Sequence, residues 1–239
     1  TGLPTRTEQS DLSFLLTASH GEFPRVVMSV RNAEDAFYQT FRALNLADKF
    51  QTVVLILTDQ YLADAKVTVS KFKLNDLKAE RYISDGSVLV EGEEYKRYKV
   101  TDNGISPRLI PGKVPGQVVL VDSDEHDEYS HITESAEVRR AQMEKRMKKL
   151  ELLKDYMVEP EYFGSERPEI LLVGWGSTYG ALKEAAETLN AEGVNIGALS
   201  FGDIYPLPTE KLIKYASMAK AIVNVEQNYT GQLGKLITQ

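Results

Sequence analysis

Arg25-Val26-Val27-Met28-Ser29-Val30, followed after a helical segment by Val53-Val54-Leu55-Ile56-Leu57, is the stretch that decides the fold. Neither run alternates apolar and polar residues, and continuous apolar runs are typical of central strands in a parallel sheet. Between them, Asn32 can cap a helix of about 18 residues that starts at Ala33. Its predicted buried face recurs at steps of four and three residues: Phe37, Phe41, Leu44 and Ala47. The stretch is therefore predicted to form a βαβ unit with a right-handed crossover.

A second series of strands and helices begins after Glu166. Ile170 to Val173 is predicted to be a buried strand, and Gly174 to Ser177 a tight turn. The later elements are predicted as a helix over 181–191, a strand over 194–199, a helix over 209–218 and a strand over 221–225. This βαβαβ pattern indicates a second domain of the α/β class.

The segment between these units has a different pattern of polar and apolar residues. Residues 66–70 and 95–100 alternate in polarity and are separated by turn dipeptides, of which Asp85-Gly86 is one. We predict irregular β structure here, or a long arm that reaches over a neighbouring domain or subunit. We accordingly divide the chain into residues 1–64, a β-rich and helical linker arm over 65–165, and residues 166–239.

A charged helix is predicted at the end of the arm, from Glu134 to Tyr156, with Thr133 or Ser135 as its cap. Its apolar stripe is imperfect and consists of Val138, Met143, Met147, Leu150, Leu153 and Met157. The heptad is neither regular nor sustained, so a helix packed on one side is favoured over a coiled coil.

Composition excludes several classes of function. The 239 residues carry 28 Lys and Arg against 35 Asp and Glu, a net charge of −7, which argues against nucleic-acid and anionic-membrane binding. No apolar run reaches the ~18–20 residues of a membrane span, and there is no targeting signature, so we expect a cytoplasmic protein. The absence of cysteine excludes disulfides, a thiol nucleophile and thiolate ligands within this sequence. Because the sequence opens at Thr1 without methionine, we expect it to be part of a longer polypeptide.

Two motifs have both a functional and a structural interpretation. The turn Gly174-Trp175-Gly176-Ser177-Thr178-Tyr179-Gly180 follows a strand, but its glycine spacing does not fit the dinucleotide fingerprint, so close helix–strand packing is favoured. Residues 122–131 are rich in carboxylates and contain His126 and His131. A solvated acidic loop is favoured there over a metal site, because consecutive carboxylates cannot all converge on one ion. With only three histidines, a catalytic triad cannot be argued.

The first residues, Thr1-Gly2-Leu3-Pro4-Thr5-Arg6-Thr7-Glu8-Gln9, place three hydroxyls and a guanidinium near one turn. Hydroxyls and backbone N–H groups can bind a substrate carboxylate, and arginine can form a bidentate contact with it. Alternatively, Thr7 caps a helix that runs from Glu8 to Leu16. Composition does not decide between these two interpretations.

Three separated blocks closely resemble the α subunit of 2-oxoacid:ferredoxin oxidoreductases, in particular the 2-oxoglutarate type. The first block is residues 1–12 followed by His20-Gly21-Glu22-Phe23-Pro24-Arg25, and the second is Leu57-Thr58-Asp59-Gln60-Tyr61-Leu62. The third is Glu125-His126-Asp127-Glu128 with Glu137-Val138-Arg139-Arg140. The resemblance covers essentially the whole chain.

The resemblance implies oxidative decarboxylation of a 2-oxoacid to an acyl-CoA with thiamine diphosphate, and electron transfer through an iron–sulfur cluster to ferredoxin. Residues 1–64 then correspond to the end of the thiamine-pyrimidine-binding domain, and 166–239 to a transketolase C-terminal-like domain that contains Tyr205-Pro206-Leu207-Pro208. Thr1 and Thr5 match substrate-contacting threonines of the family. The carboxylate-reading arginine and the thiamine-activating glutamate are expected upstream of Thr1. No residue of this sequence is assigned a catalytic role, and none is assigned to the cofactor or to a metal.

Two absences agree with this resemblance. The sequence has no cysteine, so we expect the iron–sulfur cluster on a partner subunit. It also has no Gly-Asp-Gly motif, so we expect a partner to hold Mg²⁺ and the diphosphate. We therefore expect a β subunit and ferredoxin as partners, and no activity from this chain alone. Ser123 and Ser130 depart from the family, which usually has glycine at both positions, so the local backbone geometry is in question.

Alternative functions remain open at this point. Arg6 is a candidate for binding the second carboxylate of 2-oxoglutarate, and without such a group a pyruvate- or branched-chain-selective member is the alternative. A non-catalytic assembly subunit would make use of the charged helix and the arm. A nucleotide-binding α/β protein rests only on the glycine turn and ranks last.

Overall fold

The computed structural model describes residues 8–89 and 92–239. The helices in this part of the chain are α1 (Leu12–Thr17), α2 (Ala33–Phe50), α3 (Gln60–Asp64), α4 (Ala136–Lys154), α5 (Tyr179–Ala191), α6 (Glu210–Ala216) and α7 (Gln232–Ile237). The strands are β1 (Arg25–Ser29), β2 (Val53–Leu57), β3 (Glu161–Gly164), β4 (Ile170–Trp175), β5 (Ile196–Phe201), β6 (Asp203–Tyr205) and β7 (Ala221–Val225). None of these helices is both long enough and apolar enough to cross a membrane. The predicted α/β class is confirmed.

The first sheet has the strand order β2-β1-β6. β1 and β2 pair in parallel along their whole length, and α2 connects them. The helix begins where the side chain of Asn32 accepts a hydrogen bond from the N–H of Asp35, which satisfies one of its free amide groups. The predicted βαβ unit is therefore confirmed together with its capping residue.

The second sheet has the order β3-β5-β4-β7. β4 lies parallel to both β5 and β7, whereas β3 pairs antiparallel with β5 at one edge. The strands and helices predicted for the C-terminal unit are present, with boundaries shifted by a few residues. The prediction missed β3 and β6, which have only four and three residues and so carry almost no periodicity.

β6 joins the two sheets, since it follows β5 in the chain but pairs antiparallel with β1 of the first sheet. The side chain of Ser29 on β1 donates a hydrogen bond of 2.9 Å to the carbonyl oxygen of Phe201 at the end of β5. One hydrophobic cluster contains buried residues from both sheets: Leu12, Val27, Leu57, Leu171, Val173, Trp175, Leu199, Phe201, Ile204, Leu212, Tyr215 and Leu233. The two units therefore share a core.

A buried ion pair fixes β6 in this position. The side chain of Asp203 is 0% exposed and accepts two hydrogen bonds of 2.7 Å from the Arg42 guanidinium on α2. The same carboxylate accepts a hydrogen bond of 2.7 Å from the N–H of Val158, which follows α4. One carboxylate thus ties three parts of the chain together.

The face by which α2 packs on its sheet differs from the prediction. The buried residues are Gln39, Ala43, Leu46 and Phe50, whereas Leu44 of the predicted face is 66% exposed. The helix carries apolar residues on two faces, and the sheet covers the one that contacts Val26 and Met28. On the other face, Phe37 stacks on Phe72 of the arm with ring centroids 4.1 Å apart.

The prediction of β structure in the arm is wrong. Between residues 65 and 135, the described part of the chain contains no strand, only a 3₁₀ turn and one isolated β-bridge. Side chains take the place of neighbouring strands: the carbonyl of Tyr98 accepts hydrogen bonds from Gln142 and Lys145, and that of Lys78 accepts one from Asn45. Because helix side chains satisfy its backbone, the arm follows α2 and α4 without forming a sheet.

Helices α1 and α4 also differ from the prediction. α1 begins at Leu12, so the helix predicted to start at Glu8 is shorter, and its proposed cap Thr7 lies outside the described residues.

α4 is capped by Ser135, as one alternative predicted. Its buried face consists of Gln142, Lys145, Lys149 and Leu153, so of the predicted apolar stripe only Leu153 is fully buried. The lysines reach inward because they donate to arm and loop carbonyls, as Lys149 does to Gln51 (3.2 Å).

We predict that Asp203→Asn lowers the free energy of unfolding of the full-length protein by about 3 kcal/mol, because it leaves the Arg42 guanidinium without its buried counter-charge. Urea denaturation followed by circular dichroism measures the change. Glu151→Gln is the control, since its ion pair with Lys154 is exposed and is expected to contribute less than about 0.5 kcal/mol. Equal effects of the two substitutions would contradict the role assigned to Asp203.

Candidate functional site

The predicted substrate-binding residues Thr1, Thr5 and Arg6 lie outside the described residues, which begin at Glu8. The structure does describe where the chain runs directly after them. Gln9 is buried, with 2% of its surface exposed. The position of Gln9 therefore defines the region to which the predicted substrate segment is attached.

Gln9 lies where three strands end. β4 ends at Trp175, whose carbonyl contacts Gln9, and β7 ends at Val225, after which Gln227 contacts Gln9. A Cβ atom built on Gly176 would lie 2.8 Å from Gln9 Nε2 and 3.9 Å from the carbonyl oxygen of Val30, which follows β1. Open α/β sheets bind ligands at the carboxyl ends of their strands. The residue after the predicted substrate segment is thus anchored at such an edge.

Four hydrogen bonds hold Gln9 in this place. Its side-chain Nε2 donates to the Trp175 carbonyl (2.8 Å), and its Oε1 accepts from the N–H of Gln227 (2.9 Å). Its backbone N–H donates to the Gln227 carbonyl (2.9 Å), and its own carbonyl accepts from Asn228 Nδ2 (3.0 Å). We call Gln9, Trp175, Glu226, Gln227 and Asn228 the carboxyl-end junction.

Glu226 organises the C-terminal side of this junction. Its carboxylate accepts hydrogen bonds from Trp175 Nε1 (3.1 Å), Asn228 Nδ2 (2.6 Å), Asn224 Nδ2 (2.5 Å) and the N–H of Leu233 in α7 (2.9 Å). Burial alone would raise the pKa of the Glu226 carboxyl, but these hydrogen bonds lower it below its ordinary value. The group is therefore an anion at neutral pH, and it fixes the turn that follows β7.

The glycine turn has a packing explanation. A Cβ atom on Gly174 would lie 2.6 Å from the carbonyl oxygen of Val225 and 2.9 Å from the side chain of Leu182 on α5. Gly176 has a φ of +62°, and a Cβ there would meet Gln9. Both glycines are thus required by close helix–strand and loop contacts, which supports the packing interpretation over a nucleotide site.

The acidic block does not form a solvated loop, so that interpretation is wrong for its central carboxylates. Glu125 pairs with Arg146 (2.5 Å) and also with Arg139 on α4. Although burial raises the pKa of Glu125, hydrogen bonds and charge from these two guanidinium groups lower it to about 2. Glu128 accepts from Lys96 Nζ (2.9 Å) and the N–H of Val100 (2.8 Å). These carboxylates hold the arm to itself and to α4.

The rest of the block is shaped by local hydrogen bonds. Asp127 Oδ1 accepts from the N–H groups of Tyr129 and His131, and the ring of His126 packs on that of Tyr98 with centroids 3.7 Å apart. Within residues 8–89 and 92–239, no group of three or more His, Asp or Glu side chains is arranged to hold a metal ion. Ser130 adopts the left-handed conformation, with φ +77°, so the geometry expected of glycine is present there despite the side chain. Its hydroxyl donates to the carbonyl of Leu120 (2.7 Å).

A cavity of about 670 Å³ opens between the arm and the C-terminal end of α2. Its walls include Lys49, Arg81 and Arg108, and both arginines pair with Asp48. Since α2 ends just before β2 begins, this cavity lies at the amino ends of the strands, away from the carboxyl-end junction. Both arginines already pair with Asp48 and Lys49 Nζ donates to the hydroxyl of Tyr156 (2.7 Å), so we do not assign this cavity to the substrate.

Sequence reasoning missed the residues on which the junction depends. In the sequence, Gln9 is only one amide in a polar segment, and no motif includes Glu226 or Asn228. No local pattern distinguishes these residues, because their contacts join parts of the chain more than 160 residues apart. The buried lysines of α4 were also missed, although burial and neighbouring cations lower the pKa of Lys145 to about 7.

Comparisons with known proteins relate the chain to one family. Residues 1–145 match the family model described as pyruvate flavodoxin/ferredoxin oxidoreductase, thiamine diphosphate-binding, and residues 168–239 match pyruvate:ferredoxin oxidoreductase core domain II. The subunit alpha of 2-oxoacid:ferredoxin oxidoreductase 1 from Aeropyrum pernix is 39% identical over 100% of this chain and 37% of its own length. A 2-oxoglutarate synthase subunit from Archaeoglobus fulgidus is 26% identical over 98% of this chain and 59% of its own length.

Among solved structures, the chain resembles a 2-oxoglutarate:ferredoxin oxidoreductase from Magnetococcus marinus, whose structure holds 2-oxoglutarate, coenzyme A and succinyl-CoA. The TM-score is 0.90 at 33% sequence identity, over 99% of this chain and 41% of that one. The chain thus spans between about a third and three fifths of the length of these relatives.

We predict that Gly176→Ala lowers the free energy of unfolding by about 1–3 kcal/mol, because alanine is strained at positive φ and its methyl group would displace Gln9. Gly180→Ala is the matched control, four residues on in the same turn and helix. A Cβ there meets no heavy atom within 4 Å, so alanine is expected to stabilise α5 by up to about 1 kcal/mol. Thermal unfolding of the two variants gives shifts of opposite sign, and a shared sign would contradict the packing account.

We predict that the stability contributed by Glu125 depends on pH. Its pKa is lowered in the folded protein, so its contribution is complete above the ordinary glutamate pKa of about 4.3 and is lost as the pH falls toward 2. Glu125→Gln should lower the free energy of unfolding at pH 7 by about 1–2 kcal/mol, since solvent partly screens the pairs. Urea titrations between pH 7 and pH 3 should show the difference from wild type shrinking. Glu144→Gln serves as the control, because Glu144 lies on the exposed face of α4, the helix that carries Arg139 and Arg146.

Proposed function

The chain belongs to the pyruvate flavodoxin/ferredoxin oxidoreductase family, and from this premise we propose that it forms part of the α subunit of a 2-oxoacid:ferredoxin oxidoreductase. We further propose 2-oxoglutarate as its substrate, converted with coenzyme A to succinyl-CoA and CO₂ while the electrons pass to ferredoxin. The observation that carries this proposal is the likeness, along nearly the whole chain, to a 2-oxoglutarate:ferredoxin oxidoreductase. The 2-oxoglutarate synthase subunit supports the same substrate.

The polar groups described at the carboxyl ends of the strands do not fit a Mg²⁺–diphosphate site. The hydroxyl of Ser29 donates to the Phe201 carbonyl, and Asp59 caps α3 by accepting from the N–H of Leu62. The carboxylate of Glu226 already accepts hydrogen bonds within the carboxyl-end junction and from the N–H of Leu233. We therefore propose that thiamine diphosphate and Mg²⁺ are bound at the interface with a β subunit. We propose that the iron–sulfur cluster is bound by a partner as well, since this sequence contains no cysteine that could be its ligand. The cytoplasmic setting stays a prediction.

This chain's own contribution is to bind and orient the substrate. We assign Thr1 and Thr5 to hydrogen bonds with the 2-oxoacid, and Arg6 to the second carboxylate that distinguishes 2-oxoglutarate from pyruvate. The anchoring of Gln9 at a carboxyl-end edge supports this assignment, since Arg6 lies three residues before it and Thr5 four residues before it in the sequence. The domain division that we propose for this chain is 1–64, 65–165 and 166–239, with β6 and the shared core joining the first and last parts.

The test uses the full-length α subunit co-expressed with its β subunit and purified without oxygen. We expect reduction of a viologen dye that requires 2-oxoglutarate, coenzyme A, thiamine diphosphate and both subunits, and no turnover by the α subunit alone. Pyruvate and a branched-chain 2-oxoacid are assayed alongside. No activity from an assembled complex that carries its cluster would favour a non-catalytic assembly subunit.

Arg6→Ala tests the substrate assignment within the same assay. Because it removes a charge-assisted contact to the second carboxylate alone, it should lower kcat/KM for 2-oxoglutarate by about 10–100-fold and that for pyruvate much less. Arg6→Lys keeps the charge without the bidentate geometry and should fall in between. An equal loss for both substrates would show that Arg6 does not select between them.

A further inference from the structure

Two lysines on the inner face of α4 are buried without a counter-charge. Lys145 is 4% exposed and Lys149 is 8% exposed, although lysine is rarely buried unless it is paired. In the part of the chain that the structure describes, neither side chain forms an ion pair with a carboxylate. Burial of an ammonium group is costly without an opposite charge, so this environment favours the uncharged amine.

The hydrogen bonds of Lys145 suit a neutral amine. Its Nζ donates to the carbonyl of Tyr98 on the arm (2.7 Å) and to Oε1 of Gln142 (3.2 Å). A neutral amine has two N–H groups, and these two acceptors satisfy both of them. An ammonium group has a third N–H, for which the described residues provide no acceptor. The contacts of Lys145 are therefore complete only while it is uncharged.

The charged groups that face Lys145 are mostly cations: Lys149 and Arg146 on α4, and Arg97 on the arm. Burial is the main cause that lowers the pKa of Lys145 to about 7, and these three positive charges act in the same direction. The carboxylate of Glu128 opposes them, but it already accepts a hydrogen bond from Lys96. Burial, with the charges of Arg97 and Arg146, also lowers the pKa of Lys149 to about 8.

The arm covers Lys145 at two points, within residues 97–106, which we call the covering segment. The carbonyl of Tyr98 accepts from the amine, and Gly104 packs directly on the helix backbone. A Cβ atom built on Gly104 would collide with the carbonyl oxygen of Lys145, so the close approach requires a residue without a side chain. Since the arm passes over both the backbone and the amine of Lys145, the amine stays buried only while the covering segment is docked.

We propose that Lys145 is a pH-sensitive latch, which holds the covering segment on α4 as a neutral amine and releases it when protonated. Release exposes the amine to water, where the ordinary pKa of lysine is about 10.4. Between about pH 7 and pH 10.4, release therefore takes up a proton, and each unit by which the pH falls favours release by up to about tenfold. Below about pH 7 the covered amine is protonated as well, so this dependence ends. The latch is independent of the proposed function, because it involves no substrate.

Hydrogen–deuterium exchange of the full-length protein at pH 7 and pH 9 tests the latch. Each exchange rate in peptides covering residues 97–106 is divided into the intrinsic rate at the same pH, which gives the protection of the covering segment. We expect protection to rise from pH 7 to pH 9 by at least about tenfold more in wild type than in Lys145→Met, whose side chain does not titrate. Lys148→Met is the matched control, since Lys148 is exposed on the same helix, and it should keep the wild-type profile.

The pH profile separates a latch from a merely structural contact. A structural role of Lys145 predicts lower protection in Lys145→Met at both pH values with the same dependence on pH as wild type, and that result would overturn the proposal. Wild-type protection that does not change between pH 7 and pH 9 would overturn it as well. Lys145→Gln provides the test if the methionine variant does not fold, because its amide keeps a hydrogen-bond donor but does not titrate. It should show the same loss of pH dependence.

Discussion

The buried carboxylate of Asp203 is the constraint on which the arrangement of the two sheets depends. Its desolvation is offset only when the Arg42 guanidinium and the N–H of Val158 are both in place. These groups come from α2 and from the chain after α4, and they meet the carboxylate in the register in which β6 pairs with β1. With β6 fixed, the first sheet and the C-terminal unit share a core, and the carboxyl ends of β1 and β4 come close together.

The carboxyl-end junction depends on a second carboxylate, that of Glu226, which is only partly buried. Its oxygens accept hydrogen bonds from the end of β4, from its own turn and from α7, so a donor that moved away from the carboxylate would lose its partner. Such a network contributes less to stability than to uniqueness, since its desolvation cost offsets much of the attraction. What it specifies is the place of Gln9, and through Gln9 the point at which the chain leaves the predicted substrate segment.

Local patterns in the sequence predict most of the helices and strands correctly, but they do not predict how these elements contact one another. The apolar runs of β1 and β2 and the cap at Asn32 depend on neighbouring residues only, and they were predicted correctly. The packing face of α2 was not, because the helix has two apolar faces and only the sheet decides between them. The arm alternates like a strand, yet its backbone is satisfied by Asn45, Gln142 and other helix side chains far away in sequence. The Gln9–Trp175 contact, 166 residues apart, has no local signal at all.

The C-terminal unit does more than pack against the first sheet, because it also holds the start of the described chain. The family resemblance assigns the C-terminal unit to assembly, but its two turns after β4 and β7 reach the other end of the chain and hold it from both sides. The same contact explains the glycine turn that follows β4. Because Gly176 has no side chain, the turn leaves room for the amide of Gln9.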